Sequence, residues 1–482
     1  MHVPHGPSLK YRDTDEASGR FHAALESLGI TKGDRVVVQV AKSIESVLLY
    51  LACLRIGAIY IPLNTAYTSA EVSYFIEDAE PRVFICDPLA HESLGSVLHE
   101  KVAHILTLSA NGTGSLVDIY NEKDAVNDIV DCSADDLAAI LYTSGTTGRS
   151  KGAMLSHSNL SSNAQVLHQY WQFQHGDILL HALPVFHVHG LFVALHCALL
   201  NGSMIYFLPH FDADTVLQQL PTSTVMMGVP TFYTRLLDRP DFTRDLCDNM
   251  RLFVSGSAPL LAETHIEFEQ RTGHRILERY GMTETGMITS NPYDGERIAG
   301  TVGYALPGES VRIADDDGNE IARGETGVLE VKGPNVFQGY WRMPEKTRDE
   351  FREDGWFITG DLATMSDDGR VTIVGREKDL IISGGYNIYP KEIELAIDEC
   401  DGVKESAVIG TPHADFGEGV VAVVVRGDNM DINEDDILQS LSSQLARFKQ
   451  PKRIFFVDEL PRNTMGKVQK NTLREDYRDC LK

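Results

Sequence analysis

The sequence predicts an α/β protein with a large N-terminal domain and a small C-terminal α/β domain. The large domain is expected to hold helix-covered parallel sheets and a β-rich subdomain. Two observations carry this expectation. Short apolar runs alternate with helix-like stretches through most of the chain, the pattern of parallel strands buried beneath helices. From about Ala299 to Val374 glycines become frequent and the apolar runs shorten, which marks the β-rich part. With 482 residues the chain is long enough for two or three domains with sizeable cores.

The elements follow in order. R-V-V-V-Q-V (Arg35 to Val40) reads as a buried strand. After it Ile44, Val47, Leu48, Leu51 and Leu54 mark one face of a helix. Arg82 to Asp87, Asp177 to Leu183, Met204 to Leu208, Thr224 to Val229 and Arg251 to Gly256 are further strand candidates, and Leu261 to Arg271 is a helix. Near the C-terminus, Ser406 to Gly410, Val420 to Val425 and Arg453 to Val457 read as strands, with a helix near Ile437 to Leu445. The expected boundary is G-R-E-K-D, with residues 1–375 in the large domain, 376–482 in the small one and a hinge near 375–379. Its charged composition suits an exposed connection.

Composition narrows the function. A hydrophobic content of 43% with 23% charged residues is that of a globular protein. The net charge of −26 argues against nucleic-acid and anionic-membrane partners. The seven cysteines are scattered without a C-x-x-C pair, as expected in a reducing compartment. No apolar run is long enough to span a bilayer, and the first residues lack an apolar signal core. A cytoplasmic protein with no integral membrane association is expected; the sequence is silent on oligomeric state.

The most informative stretch is Y-T-S-G-T-T-G-R-S-K-G, Tyr142 to Gly152. The apolar run Leu137 to Leu141 leads into it, and Ala153 to Ser156 leaves it as another strand. Gly145 and Gly148 let the backbone turn its N–H groups toward an anion. Ser144, Thr146 and Thr147 offer hydroxyls, and Lys151 a mobile point charge. The loop suits a polyphosphate. It is not a Walker A loop, which needs glycine before the lysine and a helix after it.

Four more stretches join it: E-R-Y-G-M-T-E-T (Glu278 to Thr285), W-F-I-T-G-D-L (Trp356 to Leu362), the run from Gly375 to Glu394, and P-R-N-T-M-G-K (Pro461 to Lys467). The first is expected to follow a short strand, and Asp361 to follow a strand and a glycine turn. Together these motifs resemble the adenylate-forming superfamily of acyl-CoA synthetases, peptide-synthetase adenylation domains and luciferases, over nearly the whole chain. E-R-Y-G-M-T-E-T, G-P-N-V-F-Q-G-Y-W-R-M-P-E-K-T and L-P-R-N-T-M-G-K-V-Q-K are most similar to malonyl-CoA synthetases.

That resemblance implies an ATP-dependent ligase that makes an acyl-AMP and then a CoA thioester, with a mobile small domain rotating between the two steps. It implies Mg²⁺, with ATP and CoA as co-substrates and malonate as the acid. Thr143, Ser144, Gly145, Thr146, Thr147, Gly148 and Lys151 would hold phosphates. Ser257, Ala258, Pro259, Glu278, Tyr280, Gly281, Met282, Thr283, Asp361 and Arg376 would complete the nucleotide site, with Asp361 and Arg376 on the ribose. Glu284 would hold Mg²⁺. Lys467 would contact the acyl carboxylate and α-phosphate and, with Glu284 and Thr283, form the catalytic set. Lys378 would be the hinge residue, and Ser383, Gly384 and Gly385 would line the CoA tunnel. Family members generally carry a further segment ahead of the part matching Leu9 to Tyr11, so an upstream start or organelle leader stays open.

Arg279, Arg235 and His189 are the candidate acyl-site residues. An arginine before Y-G-M-T-E could clamp the distal carboxylate of a short diacid with a bidentate pair. The alternative reading pairs Arg279 with neighbouring Glu278 or another acid. His187 and His189 form H-x-H, but no third ligand has metal-site spacing. Methylmalonate, oxalate or succinate in place of malonate, a carrier protein in place of CoA, and a non-catalytic nucleotide binder are the remaining readings.

Overall fold

The computed structural model describes residues 1–92, 101–143, 150–383, 386–413, 416–427, 430–445, 447–463 and 466–481. Ser144, Gly145, Thr146, Thr147, Gly148, Gly384 and Gly385 lie outside the described residues. The chain forms two compact units, Met1–Ser310 with Val331–Phe357, and Val311–Glu330 with Ile358–Lys482.

The first unit holds two sheets. The first contains β1 (Arg35–Gln39), β2 (Ile59–Pro62), β3 (Val83–Cys86), β4 (His104–Thr107), β5 (Leu137–Thr143) and β6 (Lys151–Ser156), in the order β4-β3-β1-β2-β5-β6. All neighbours are parallel except β5 and β6. The apolar runs of β2 and β3 are buried throughout, as strands covered on both faces must be. The helix Ile44–Ile56 starts at Ser43, whose side chain accepts from the Ser46 N–H, and stops at Gly57 with φ +71°. That left-handed turn is the usual glycine helix stop.

The second sheet contains β7 (Ile178–His181), β8 (Met204–Phe207), β9 (Val225–Gly228), β10 (Leu252–Ser255), β11 (Leu277–Met282), β12 (Gly286–Ser290) and β13 (Tyr304–Ala305), in the order β13-β12-β11-β10-β9-β7-β8. The strands from β7 to β11 run parallel, and β11, β12 and β13 are antiparallel. Two features differ from the sequence expectation. The segment from Glu278 to Met282 does not follow a strand but lies in β11 itself. Its Glu278 carboxylate is buried against His265, so strand propensity yields to tertiary context. After β7 the chain forms a π-helix, His189–Leu195, leading into the helix His196–Asn201.

In the second unit, β14 (Ser310–Ala314), β15 (Gly327–Lys332), β16 (Phe357–Met365) and β17 (Val371–Arg376) make a sheet in that order. Asp361 lies inside β16 rather than after it; Gly360, at φ +68°, bends the strand without ending it. The other sheet contains β18 (Ile381–Ser383), β19 (Tyr386–Ile388), β20 (Val403–His413), β21 (Gly417–Arg426) and β22 (Arg453–Val457). Its V-V-A-V-V-V run is buried on both faces. Val420, Ala422 and Val424 pack in one core with Ile393, Ile397, Ile437 and Leu441, from the helices Pro390–Asp398 and Glu434–Gln444. Val421, Val423 and Val425 pack in another with Leu473, from the helix Lys470–Asp476. The alternation is the two-residue period of a strand. All seven cysteines are free. Among the described residues, no helix is long and apolar enough to cross a membrane.

Candidate active site

The hairpin β5–β6 carries both ends of the phosphate-loop motif, with Thr143 opposite Lys151. Its ends are pinned: the Tyr142 hydroxyl donates to Asp78 Oδ2 at 2.6 Å, and the Tyr74 hydroxyl to the Ser150 carbonyl at 2.8 Å. Lys151 is buried. Its Nζ lies 3.4 Å from Glu350 Oε1 and 4.1 Å from the centre of the Tyr340 ring.

Tyr340 reaches this position because residues 338–341 pair with β6. Gln338 N–H donates to the Met154 carbonyl, Met154 N–H to Gly339, and Trp341 N–H to Gly152, at 2.9, 3.0 and 2.8 Å. A Cβ on Gly152 would come within 2.8 Å of Ile140 and 3.3 Å of Trp341, so this approach requires glycine. The Tyr340 hydroxyl donates to Glu284 Oε1 at 3.0 Å. Burial and the Glu284 and Glu350 charges push its pKa up, so it keeps the proton it donates. Tyr340 thus joins a buried cation to a buried carboxylate. It and Glu350 had no assigned role in the sequence reading; the G-Y-W-R stretch was the available signal.

Glu284 and Thr283 sit in the turn between β11 and β12, which the Phe337 N–H steadies by donating to the Glu284 carbonyl at 2.8 Å. Among the described residues, no three His, Cys, Asp or Glu side chains form a metal cage. The buried Glu284 carboxylate fits Mg²⁺, which binds through one or two carboxylates plus substrate phosphates.

Arg279, on β11 opposite Ser290, is 4% exposed. A Cβ on Gly256 would lie 2.3 Å from the guanidinium carbon, so the glycine makes the room this side chain occupies. Nε and Nη2 of Arg279 have no hydrogen-bond partner among the described residues. Burial lowers its pKa to about 9, and it remains a cation at neutral pH. His189, 1% exposed, begins the π-helix; its Nδ1 lies 3.3 Å from Ser257 Oγ and its Nε2 has no hydrogen-bond partner among the described residues. Burial, then the Arg279 charge, hold the His189 pKa well below its ordinary value, so the ring is neutral. Ser257 has φ +71°, a left-handed conformation that costs a non-glycine residue about 1–3 kcal/mol and persists where surroundings enforce it. Ala258 and Pro259 follow it. The structure therefore brings Arg279, His189 and Ser257 together.

It does not form the alternative pair. The Glu278 carboxylate lies 3.4 Å from His265 Nδ1 and accepts the Gly300 N–H at 3.2 Å. Successive residues of a strand face opposite sides, which turns Glu278 away from Arg279. Tyr280 stands opposite Thr289, with a bulge between it and Gly281. A Cβ on Gly281 would fall 2.0 Å from the Gly286 carbonyl; Met282 pairs with Gly286. Arg235 is not buried with Arg279. It is exposed on the helix Pro230–Leu237, whose Phe232, Tyr233 and Leu236 face inward.

The second unit carries the remaining candidates. Asp361 is buried, and Arg376 Nε meets its Oδ1 at 3.0 Å across the β16–β17 register. Lys378 lies in the turn Glu377–Asp379, its pKa lowered by burial and by Arg376. Ser383 ends β18, buried and opposite Tyr386 and Gly417. Lys467 is exposed on a hairpin closed by the Arg462–Val468 bridge. Asn463 Oδ1 accepts the Lys467 N–H at 2.9 Å, and Gly466 supplies the turn at φ +75°.

The AMP-binding enzyme family model matches residues 3–341, and the model of the AMP-binding enzyme C-terminal domain matches residues 392–467. The chain belongs to the AMP-binding enzyme family. A malonate–CoA ligase of Arabidopsis thaliana is 34% identical over 97% of this chain and 82% of its own length. A long-chain-fatty-acid–CoA ligase of Yersinia pestis is 33% identical over 98% and 90%. The crystal structure of ATP-bound MatB from Rhodopseudomonas palustris is 56% identical with a TM-score of 0.98, covering all of this chain and 96% of that one. This member of the family is an AMP-forming acyl-CoA synthetase.

Proposed function

We propose that the chain is an ATP-dependent malonyl-CoA synthetase. In the first half-reaction a malonate oxygen attacks the ATP α-phosphorus and pyrophosphate leaves, giving malonyl-AMP. In the second, the CoA thiolate attacks the malonyl carbonyl carbon and AMP leaves. The small C-terminal domain, residues 376–482, rotates between the steps, with Lys378 as hinge, and residues 383–385 pass the pantetheine arm. Thr143 to Lys151 hold the β- and γ-phosphates, Tyr280 lies against adenine, and Asp361 and Arg376 take the ribose. Glu284 would hold Mg²⁺, which neutralises phosphate charge when bound. Lys467 stabilises charge that grows between the carboxylate and the α-phosphate; this chemistry depends chiefly on positioning and electrostatics.

The observation that carries the choice of acid is the pair of unpartnered Arg279 nitrogens beside His189 and Ser257. A distal carboxylate would satisfy them, whereas acetate would leave a buried cation bare. Sites built for a polar partner reject analogues lacking it by as much as about 10⁴-fold. The decisive assay is CoA thioester formation with malonate, methylmalonate, succinate, oxalate and acetate. The expected result is a malonate preference of that order, abolished in Arg279→Ala while adenylation of some monoacid survives. Preference for acetate or a longer acid would sink the assignment and leave the ligase chemistry standing.

A further inference from the structure

We propose that Lys42 and His181 are positioning residues that hold His189 in place and so contribute to selection of the diacid. The inference rests on the malonate reading of the Arg279 pocket.

Lys42 follows β1 and His181 ends β7, so the contact bridges the two sheets of the first unit at the carboxyl ends of their strands. Lys42 Nζ lies 2.7 Å from His181 Nδ1 and 3.0 Å from the His181 carbonyl, and 4.4 Å from the centre of the Phe207 ring. On its other side, His181 Nε2 lies 2.9 Å from the Gly190 carbonyl. A carbonyl can only accept, so Nε2 carries the proton and Nδ1 accepts from the lysine. Burial and the Lys42 charge hold His181 well below its ordinary pKa, in keeping with this neutral tautomer.

Gly190 is the second residue of the π-helix, directly after His189. A Cβ there would lie 1.9 Å from the Pro184 carbonyl, so position 190 admits no side chain. The first turn is held at Gly190 by His181, and at His189 by His187, whose Nδ1 accepts the His189 N–H at 3.3 Å. Irregular helix turns of this type are frequent at functional sites. With the backbone held, we assign His189 the tautomer with its proton on Nε2, in which Ser257 Oγ donates to Nδ1 across their 3.3 Å contact. That N–H is then a second donor for the carboxylate that Arg279 receives.

The test compares wild type with Lys42→Met and His181→Gln in steady-state thioester formation, with thermal unfolding of each. Glutamine can keep a donor toward Gly190 but offers no counterpart of Nδ1. Lys42→Met should raise the KM for malonate about 10-fold, the size expected when a hydrogen bond to a charged group is weakened. The KM for ATP and the kcat/KM for acetate should stay within about 2-fold. His181→Gln should show a smaller rise of the same pattern, and Lys42→Arg should restore most of the malonate KM. If Lys42→Met does not fold, His181→Gln decides the question. An unchanged malonate KM, or malonate and ATP constants rising together with a fall in Tm, overturns the inference. A wild-type enzyme that prefers another acid overturns the malonate reading itself, and the same substrate panel reveals it.

Discussion

Arg279 in the first unit and Lys467 in the second are both assigned to carboxylates, and their settings are opposite. Arg279 is buried, with room made by Gly256 and two donor nitrogens unpartnered. Lys467 is exposed on a hairpin whose backbone is fixed by Asn463. Desolvating a charge is costly. A buried cation that has already borne that cost in folding discriminates strongly between ligands that do and do not complete it. An exposed lysine discriminates little in the ground state and is suited to charge that appears only during reaction. Recognition and catalysis are thereby assigned to different degrees of burial.

The comparison breaks first at Lys467. Lys467→Ala should lower ATP–pyrophosphate exchange by about 10²–10³, the usual loss on removing one preorganised donor. Thioester formation from supplied malonyl-AMP should be nearly unchanged. Equal losses in both assays would make Lys467 a recognition residue like Arg279.

Tyr340 sharpens the burial side. Tyr340→Phe keeps the ring beneath Lys151 but removes the hydrogen bond to Glu284. A bond to a charged group is worth about 1.5–3 kcal/mol, so adenylation should slow by about 10-fold or more. An unaffected rate would mean that the ring contact with Lys151 is the part that matters.

The smallest effect concerns stability. Asp398 is buried on the helix Pro390–Asp398 and accepts the Ser406 hydroxyl at 2.7 Å. Burial raises its pKa from 3.8 to about 7. Its folded pKa lies above its unfolded one, so its contribution is fully present below about pH 4 and is lost as pH rises to about 7. The Tm of wild type should therefore fall relative to Asp398→Asn across that window. A parallel pair of curves would show that folding does not raise the pKa of Asp398.

Much of this was legible in sequence because parallel strands write themselves as continuous apolar runs. β1, β3, β7, β8, β9 and β10 all lie within such runs. The strands flanking the phosphate loop and the placing of Arg279 with His189 were legible as motifs, whereas Ser257, which contacts His189, had been assigned to the nucleotide site. Other features depended on which way a side chain turns. Glu278 and Arg279 are adjacent in sequence yet face opposite sides of β11, and the segment had been expected after the strand, where no alternation applies. Arg235 has the chemistry of a clamp but the exposed position on its helix. The π-helix left no signal, because one extra residue per turn barely changes an apolar run, and Tyr340 acts across residues distant in sequence.

The contact between Gly256 and Arg279 also constrains how this pocket can evolve. No side chain can be added at 256 while the arginine keeps its present position, since the first added carbon would overlap the guanidinium. On the malonate reading, a lineage drifting toward monoacids must therefore move or lose the arginine before position 256 can enlarge. The reverse path, from a filled pocket to a diacid enzyme, must reach glycine before arginine can enter. The order of substitutions is thus biased by one missing methyl group.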